Sequence, residues 1–327
     1  METNTELKMI HLSEVESQQI KWLWYPFIPY GKLSIVQGDP GDGKSTLILN
    51  IAAKLSRGEC IDENMNITEP VNVIYQTAED GLADTVKPRL EAANADCSRI
   101  SIIDESDKSV SMTDDRIEEA IKRENAKLCI FDPIQAYLGG DTDMNRANEA
   151  REMTKKLGSI AERTGCAIVL IGHMNKASGS KSTYRGLGSI DIMAAVRSLI
   201  FIGKVRKDPT TRVLIHEKSS LAPPGETMAF KLGDEDGFRW VGAYEISADE
   251  LLDGKEGKAT ETKLERGAKL IRELLADKKE ISIRELDEKA KEQGISGRTM
   301  RDVRSRMKNE LEYQVNEKQE NSIRLKE

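Results

Sequence analysis

Gly38-Asp-Pro-Gly-Asp-Gly-Lys-Ser-Thr46 follows the apolar run Leu33 to Val36 and precedes Leu47-Ile-Leu-Asn-Ile-Ala-Ala53. Glycines at 38, 41 and 43 let the backbone curl so that successive N–H groups face an anion, and a helix starting near Lys44 adds its positive end. Lys44 can carry a point charge to the β- and γ-phosphates, and the Ser45 hydroxyl suits the Mg2+ that bridges them. The pattern G-x-x-x-x-G-K-[ST] is complete in its strand, loop and helix context. Gly38, Asp39, Pro40, Gly41, Asp42, Gly43, Lys44, Ser45 and Thr46 therefore read as a nucleoside-triphosphate loop, with ATP and Mg2+ as cofactors.

Outward from this loop, short Val- and Ile-rich runs alternate with amphipathic segments. Residues 71–76, 100–103, 127–131 and 167–171 read as strands, and 44–56, 82–94, 113–124 and 147–163 as helices. That alternation predicts an α/β fold, a mostly parallel sheet with helices on both faces. After a polar stretch at 174–189, runs at 196–202, 212–216, 227–232 and 238–241 extend the sheet with further strands. Trp22, Trp24, Tyr25, Phe27 and Tyr30 cluster before the first strand and read as packing material.

A phosphate loop needs a second carboxylate for its metal. Asp132 ends the run Leu128-Cys-Ile-Phe131 and would emerge at the carboxyl edge of a buried strand, where open α/β sheets bind ligands. Pro133 follows it, so the base that activates water must come from a neighbouring strand. Glu79, in Ala78-Glu-Asp80, is the first candidate and Asp80 the second. His173 follows the strand at 167–171 and can hydrogen-bond a γ-phosphate and sense its loss.

In their order along the chain, Gly38 to Thr46, Ala78-Glu-Asp80, Asp132, Gly172-His-Met-Asn-Lys176 and Arg185-Gly186 resemble the RecA/DnaB-type ATPases, closest to the plasmid RepA hexameric helicase branch. The likeness covers roughly residues 20–245. It implies a RecA-like core and a homo-oligomer, a hexameric ring with ATP between subunits and single-stranded DNA through its centre. It also implies Glu79 as catalytic carboxylate, His173 as sensor and an arginine finger. For the finger, Ala195-Val-Arg197 supplies Arg197, with Arg206 and Lys218 as alternatives.

The loop at 175–188 carries Lys176, Lys181 and Arg185 without an acidic residue, which fits either a pore-lining DNA contact or a solvated loop. Residues 1–24 are a polar lead-in, 25–246 the ATPase domain, 247–263 a linker free of large apolar periodicity, and 264–327 a small unit of three helices and a hairpin resembling a winged helix. Met300, Val303 and Met307 give its last helix one apolar face, leaving Arg298, Arg301 and Arg304 for duplex DNA or a protein partner.

At 327 residues the chain has room for about two domains, and 38% hydrophobic content supplies a large core. No run approaches the roughly 20 apolar residues of a membrane span, and no basic-then-apolar leader opens the chain. A cytoplasmic protein without a membrane partner is expected. Cys60, Cys97, Cys129 and Cys166 lack a C-x-x-C pair, and His11, His173 and His216 are scattered, so neither a disulfide frame nor a zinc site is expected. A net charge of -7 restricts nucleic-acid contact to local basic patches. Two readings follow: an ATP-driven, DNA-stimulated motor, such as a replicative helicase of a plasmid or mobile element, or a RadA/KaiC-like ATP switch acting through the C-terminal unit. A small-molecule kinase is disfavoured because no lid or acceptor pocket is apparent.

Overall fold

Strands made almost wholly of apolar residues need cover on both faces, and the computed structural model supplies it. The structure describes residues 9–62, 69–138, 147–174, 190–233, 237–255, 257–315 and 321–326. A short hairpin, β1 (Trp22–Trp24) and β2 (Ile28–Pro29), leads into β3 (Leu33–Gly38) and α1 (Lys44–Ser56). Next come β4 (Asn72–Thr77), α2 (Lys87–Ala92), β5 (Ile100–Ser101), α3 (Arg116–Glu124), β6 (Ala126–Asp132), α4 (Ala147–Thr164), β7 (Ala167–His173), α5 (Ile190–Ala195) and β8 (Ser198–Lys204). An antiparallel meander follows, made of β9 (Thr211–Ser219), β10 (Met228–Gly233) and β11 (Gly237–Glu245), then α6 (Ala248–Leu252) and β12 (Lys258–Thr260). These strands form one ten-stranded sheet in the order β12-β11-β10-β9-β8-β3-β7-β6-β4-β5. The strands from β5 to β8 run parallel, and the other four are antiparallel.

Period-two alternation divides each central strand between two cores. Val36, Leu128, Ile130, Val169 and Ile171 pack under α1 and α2, whereas Ile35, Cys129, Phe131, Ile168 and Leu170 pack under α3, α4 and α5. Trp24 and Phe27 are buried in the first core with ring centroids 4.4 Å apart, as packing residues. Cys129 and Cys166 are free, buried thiols, and burial pushes the Cys166 pKa up to about 12.

Two expectations need correction. The helix expected over 82–94 opens as a wide turn at Leu82–Val86 before α2 begins. The linker expected over 247–263 is structured: Ser247 caps α6 through a reciprocal pair with Glu250, and β12 pairs with β11 from Glu245↔Lys258 to Ala243↔Thr260. Edge-strand pairing uses backbone groups that any residue carries, so polar composition did not reveal it.

Beyond β12 lie α7 (Lys263–Asp277), β13 (Ile281–Ser282), α8 (Ile283–Glu292), α9 (Gly297–Arg306), β14 (Leu311–Val315) and β15 (Asn321–Leu325), with a three-stranded sheet in the order β13-β15-β14. This unit has its own core, which includes Ile271, Leu286, Met300, Val303, Met307 and Ile323. Among the described residues no helix is long and apolar enough to cross a membrane.

Candidate nucleotide-binding site

The loop between β3 and α1 takes a path that two of its positions allow only to glycine. Gly43 caps α1 at φ 87°, and a Cβ there would sit 2.5 Å from Leu232 Cδ1. A Cβ on Gly38 would lie 2.2 Å from the carbonyl oxygen of Ile202, so only glycine lets β3 pass β8 this closely. Within the loop, Lys44 Nζ donates to the carbonyl oxygens of Gly38 (3.0 Å) and Asp39 (2.8 Å), and the Asp42 carboxylate accepts from the Asp39 N–H at 2.9 Å. Ser45, half-buried, stands in the first turn of α1.

Parallel register brings the remaining groups to the same edge. Gly38 pairs with His173 and Thr77 with Asp132, so β3, β4, β6 and β7 all end here. Alternation then aims them alike: Tyr75, Leu128, Ile130, Val169 and Ile171 belong to the core under α1, and Asp132 and His173 continue that parity. Asp132 Oδ2 accepts a hydrogen bond from the Tyr75 hydroxyl at 2.7 Å, and its backbone carbonyl accepts from the Ala78 N–H at 3.3 Å. The Glu79 carboxylate is 64% exposed and lies 3.9 Å from His173 Nε2. Asp80, the second candidate base, is held by Arg89 at 2.8 Å. His173 Nδ1 is buried without a hydrogen-bond partner among the described residues.

The charges here are coupled. Burial pushes the Lys44 pKa down, while Asp42, Asp132, Asp39 and Glu79 oppose that shift. Burial also raises the Asp42 pKa, and Lys44 and Lys204 pull it back. The loop therefore holds a desolvated cation ringed by acids, an arrangement that an incoming polyphosphate would complete. The donors suited to a metal are the Ser45 hydroxyl and the Asp132 carboxylate. An all-oxygen set of this kind fits Mg2+ rather than a soft metal. Among the described residues no cluster of three or more His, Cys, Asp or Glu side chains forms a metal site.

Of three groups anticipated for trans action, Arg197 and Lys218 lie at the opposite edge, and Arg206 stands just past the carboxyl end of β8. Arg197 precedes β8 at the amino edge of the sheet, exposed and opposite the loop. Lys218 Nζ donates to the Met193 and Ala194 carbonyls at the end of α5, and Arg206 donates to the Leu252 carbonyl. Lys176, Lys181 and Arg185 lie outside the described residues.

In the C-terminal unit, Arg298 and Arg301 are exposed, but Arg304 requires correction. Its side chain is 8% exposed and pairs with Asp287 at 2.8 Å. Position 304 is four residues from Met300, so it shares the buried face of α9 rather than projecting from it. The Arg298 guanidinium sits 3.8 Å from the Tyr25 ring centroid, against the ATPase core.

Sequence reasoning missed two residues. Tyr75 is the one aromatic residue of β4, two positions before its edge, and that placement was the available signal. Arg212, buried on β9, has its Cγ 3.8 Å from where a Gly43 Cβ would be, and its guanidinium donates to the Pro209 carbonyl. A single cation in a strand run carried no such signal.

This edge and this sheet define a RecA-like P-loop ATPase core. The AAA domain family matches residues 3–179, more than half of the 327-residue chain, and the chain belongs to that family. The DNA repair protein RadA of Bacillus subtilis is 26% identical over 249 residues, covering 75% of this chain and 49% of the relative. RadA of Helicobacter pylori is 28% identical over 259 residues, covering 76% and 50%. The chain thus spans about half the length of the curated relatives it matches. A crystal structure of the RadB recombinase, 19% identical, covers 65% of this chain and 91% of its own with a TM-score of 0.43.

Proposed function

We propose that this chain is an ATP-hydrolysing, DNA-acting ATPase of recombination or repair, switched by nucleotide and working as an assembly of copies. The convergence of Lys44, Asp132, Glu79 and His173 at one sheet edge carries this reading. The names of the RadA relatives favour it over a replicative helicase of a plasmid.

Bound ATP and Mg2+ supply the γ-phosphate and neutralise its charge. Lys44 would bind the phosphates, the backbone N–H groups of the loop from Gly41 to Thr46 would cradle them, and Ser45 and Asp132 would hold the metal. Glu79, exposed and without an arginine partner among the described residues, accepts the proton of the attacking water, while Asp80 stays engaged with Arg89. His173, beside Glu79, reports the state of the nucleotide to the segment that follows it, where Lys176, Lys181 and Arg185 are proposed DNA contacts. Because Arg197 lies at the opposite edge from its own loop, it is proposed to serve a neighbouring copy, with Arg206 and Lys218 as alternatives. The C-terminal unit, with a helix and hairpin order resembling a winged helix, is proposed to bind duplex DNA or a partner protein.

The test is ATP hydrolysis by purified protein with and without single-stranded DNA, with light scattering followed with and without ATP. DNA-stimulated turnover and nucleotide-dependent assembly are expected. Hydrolysis indifferent to DNA would overturn the reading, and strand displacement on a forked duplex would restore the helicase.

A further inference from the structure

Resting on the ATPase reading, we infer that Tyr75 is a positioning residue that holds the Asp132 carboxylate in the orientation its metal requires. The phenol is 2% exposed and donates to Asp132 Oδ2 at 2.7 Å. A carboxylate offers only acceptor sites, so this bond fixes the phenol as donor and leaves Oδ1 outside it.

The hydrogen bond closes a short circuit between two strands. The Ala78 N–H reaches the Asp132 backbone carbonyl, so β4 grips Asp132 at both its main chain and its side chain. Ala78 immediately precedes Glu79. The strand that positions the metal-holding carboxylate is therefore the one that delivers the base, and Tyr75 sets their relative placement. Charge-assisted O–H···O bonds of this kind, in a buried setting, are strong and directional.

Tyr75→Phe in the full chain removes one oxygen and keeps the ring that fills the core. Affinity for a fluorescent ATP analogue is measured against free Mg2+, and again in EDTA, and ATP hydrolysis is followed across the same Mg2+ series. About a 10-fold or greater rise in the Mg2+ needed for half-maximal binding is expected, with affinity in EDTA equal to that of the native chain. A shift in EDTA affinity matching the shift in Mg2+ would mark a general packing defect and overturn the inference, as would an unchanged Mg2+ curve. Native protein that binds the analogue no better than Lys44→Ala would instead overturn the ATPase reading itself.

Discussion

The carboxyl edge of the parallel strands and helix α9 both carry a regular series of charged side chains, and the fold treats the two series in opposite ways. At the strand edge, Lys44, Asp132, Glu79 and His173 converge from four elements, with Glu79 left exposed and His173 Nδ1 without a partner among the described residues. On α9, tertiary contacts already occupy two of the charges. Arg304 is buried against Asp287, and Arg298 lies on Tyr25. A motif becomes a site when the fold leaves its polar groups facing one another with capacity to spare, and a basic helix becomes packing when its stems are needed for cover.

The largest effects should come from the strand edge. Lys44→Ala is expected to abolish analogue binding, and Glu79→Gln to slow hydrolysis by about 100-fold or more while binding persists. Asp80→Asn should cost far less, because Asp80 already serves Arg89. Equal losses in Glu79→Gln and Asp80→Asn, read from turnover at saturating ATP, would break the contrast between an exposed carboxylate and one engaged by arginine.

His216, on β9, lies beside the C-terminal region rather than the strand edge. Its Nε2 lies 3.0 Å from the Ser198 hydroxyl, its Nδ1 accepts from the Gly225 N–H, and Gly225 lines a cavity of about 350 Å³ shared with Arg298. Burial lowers its pKa from 6.5 to about 4. Since the folded state holds the neutral ring, stability is full above pH 6.5 and falls as the unfolded chain takes up its proton first. A loss of roughly 3 kcal/mol is expected as pH drops from 6.5 to 4, seen by denaturant titration at several pH values. His216→Asn should flatten that slope.

Arg304→Ala should destabilise the C-terminal unit by about 2 kcal/mol, below the cost of breaking a fully buried pair because the Asp287 side chain is 36% exposed. Calorimetry of the full chain checks it, with Arg301→Ala as the exposed control. Smallest of all, Arg298→Ala should cost about 0.5–1 kcal/mol of docking between the unit and the core. Limited proteolysis reads that change. If Arg298→Ala also weakens duplex binding with a shallower salt dependence, the guanidinium exchanges Tyr25 for phosphate and the contrast between the regions narrows.

The phosphate loop, the strand that ends at Asp132 and the one that ends at His173 were legible because each is local. Glycine spacing, an apolar run of strand length and the residue that terminates it are all visible within about ten positions. The helix face of Met300, Val303 and Met307 was equally legible, yet Arg304 was misread, because three apolar positions mark a stripe without showing its width. The edge strand β12 escaped because its hydrogen bonds are made by backbone.

The sequence by itself determined that a triphosphate loop opens an α/β core and that carboxylates and a histidine end neighbouring strands. Tertiary structure alone decided which acid stays exposed and which is engaged by Arg89, that Tyr75 donates to Asp132, that Arg197 lies at the edge opposite its own loop, and that Arg304 is core. The reason is physical. Glycine geometry and apolar periodicity act within one turn or one strand, whereas a charged group's availability depends on partners brought beside it from tens of residues away.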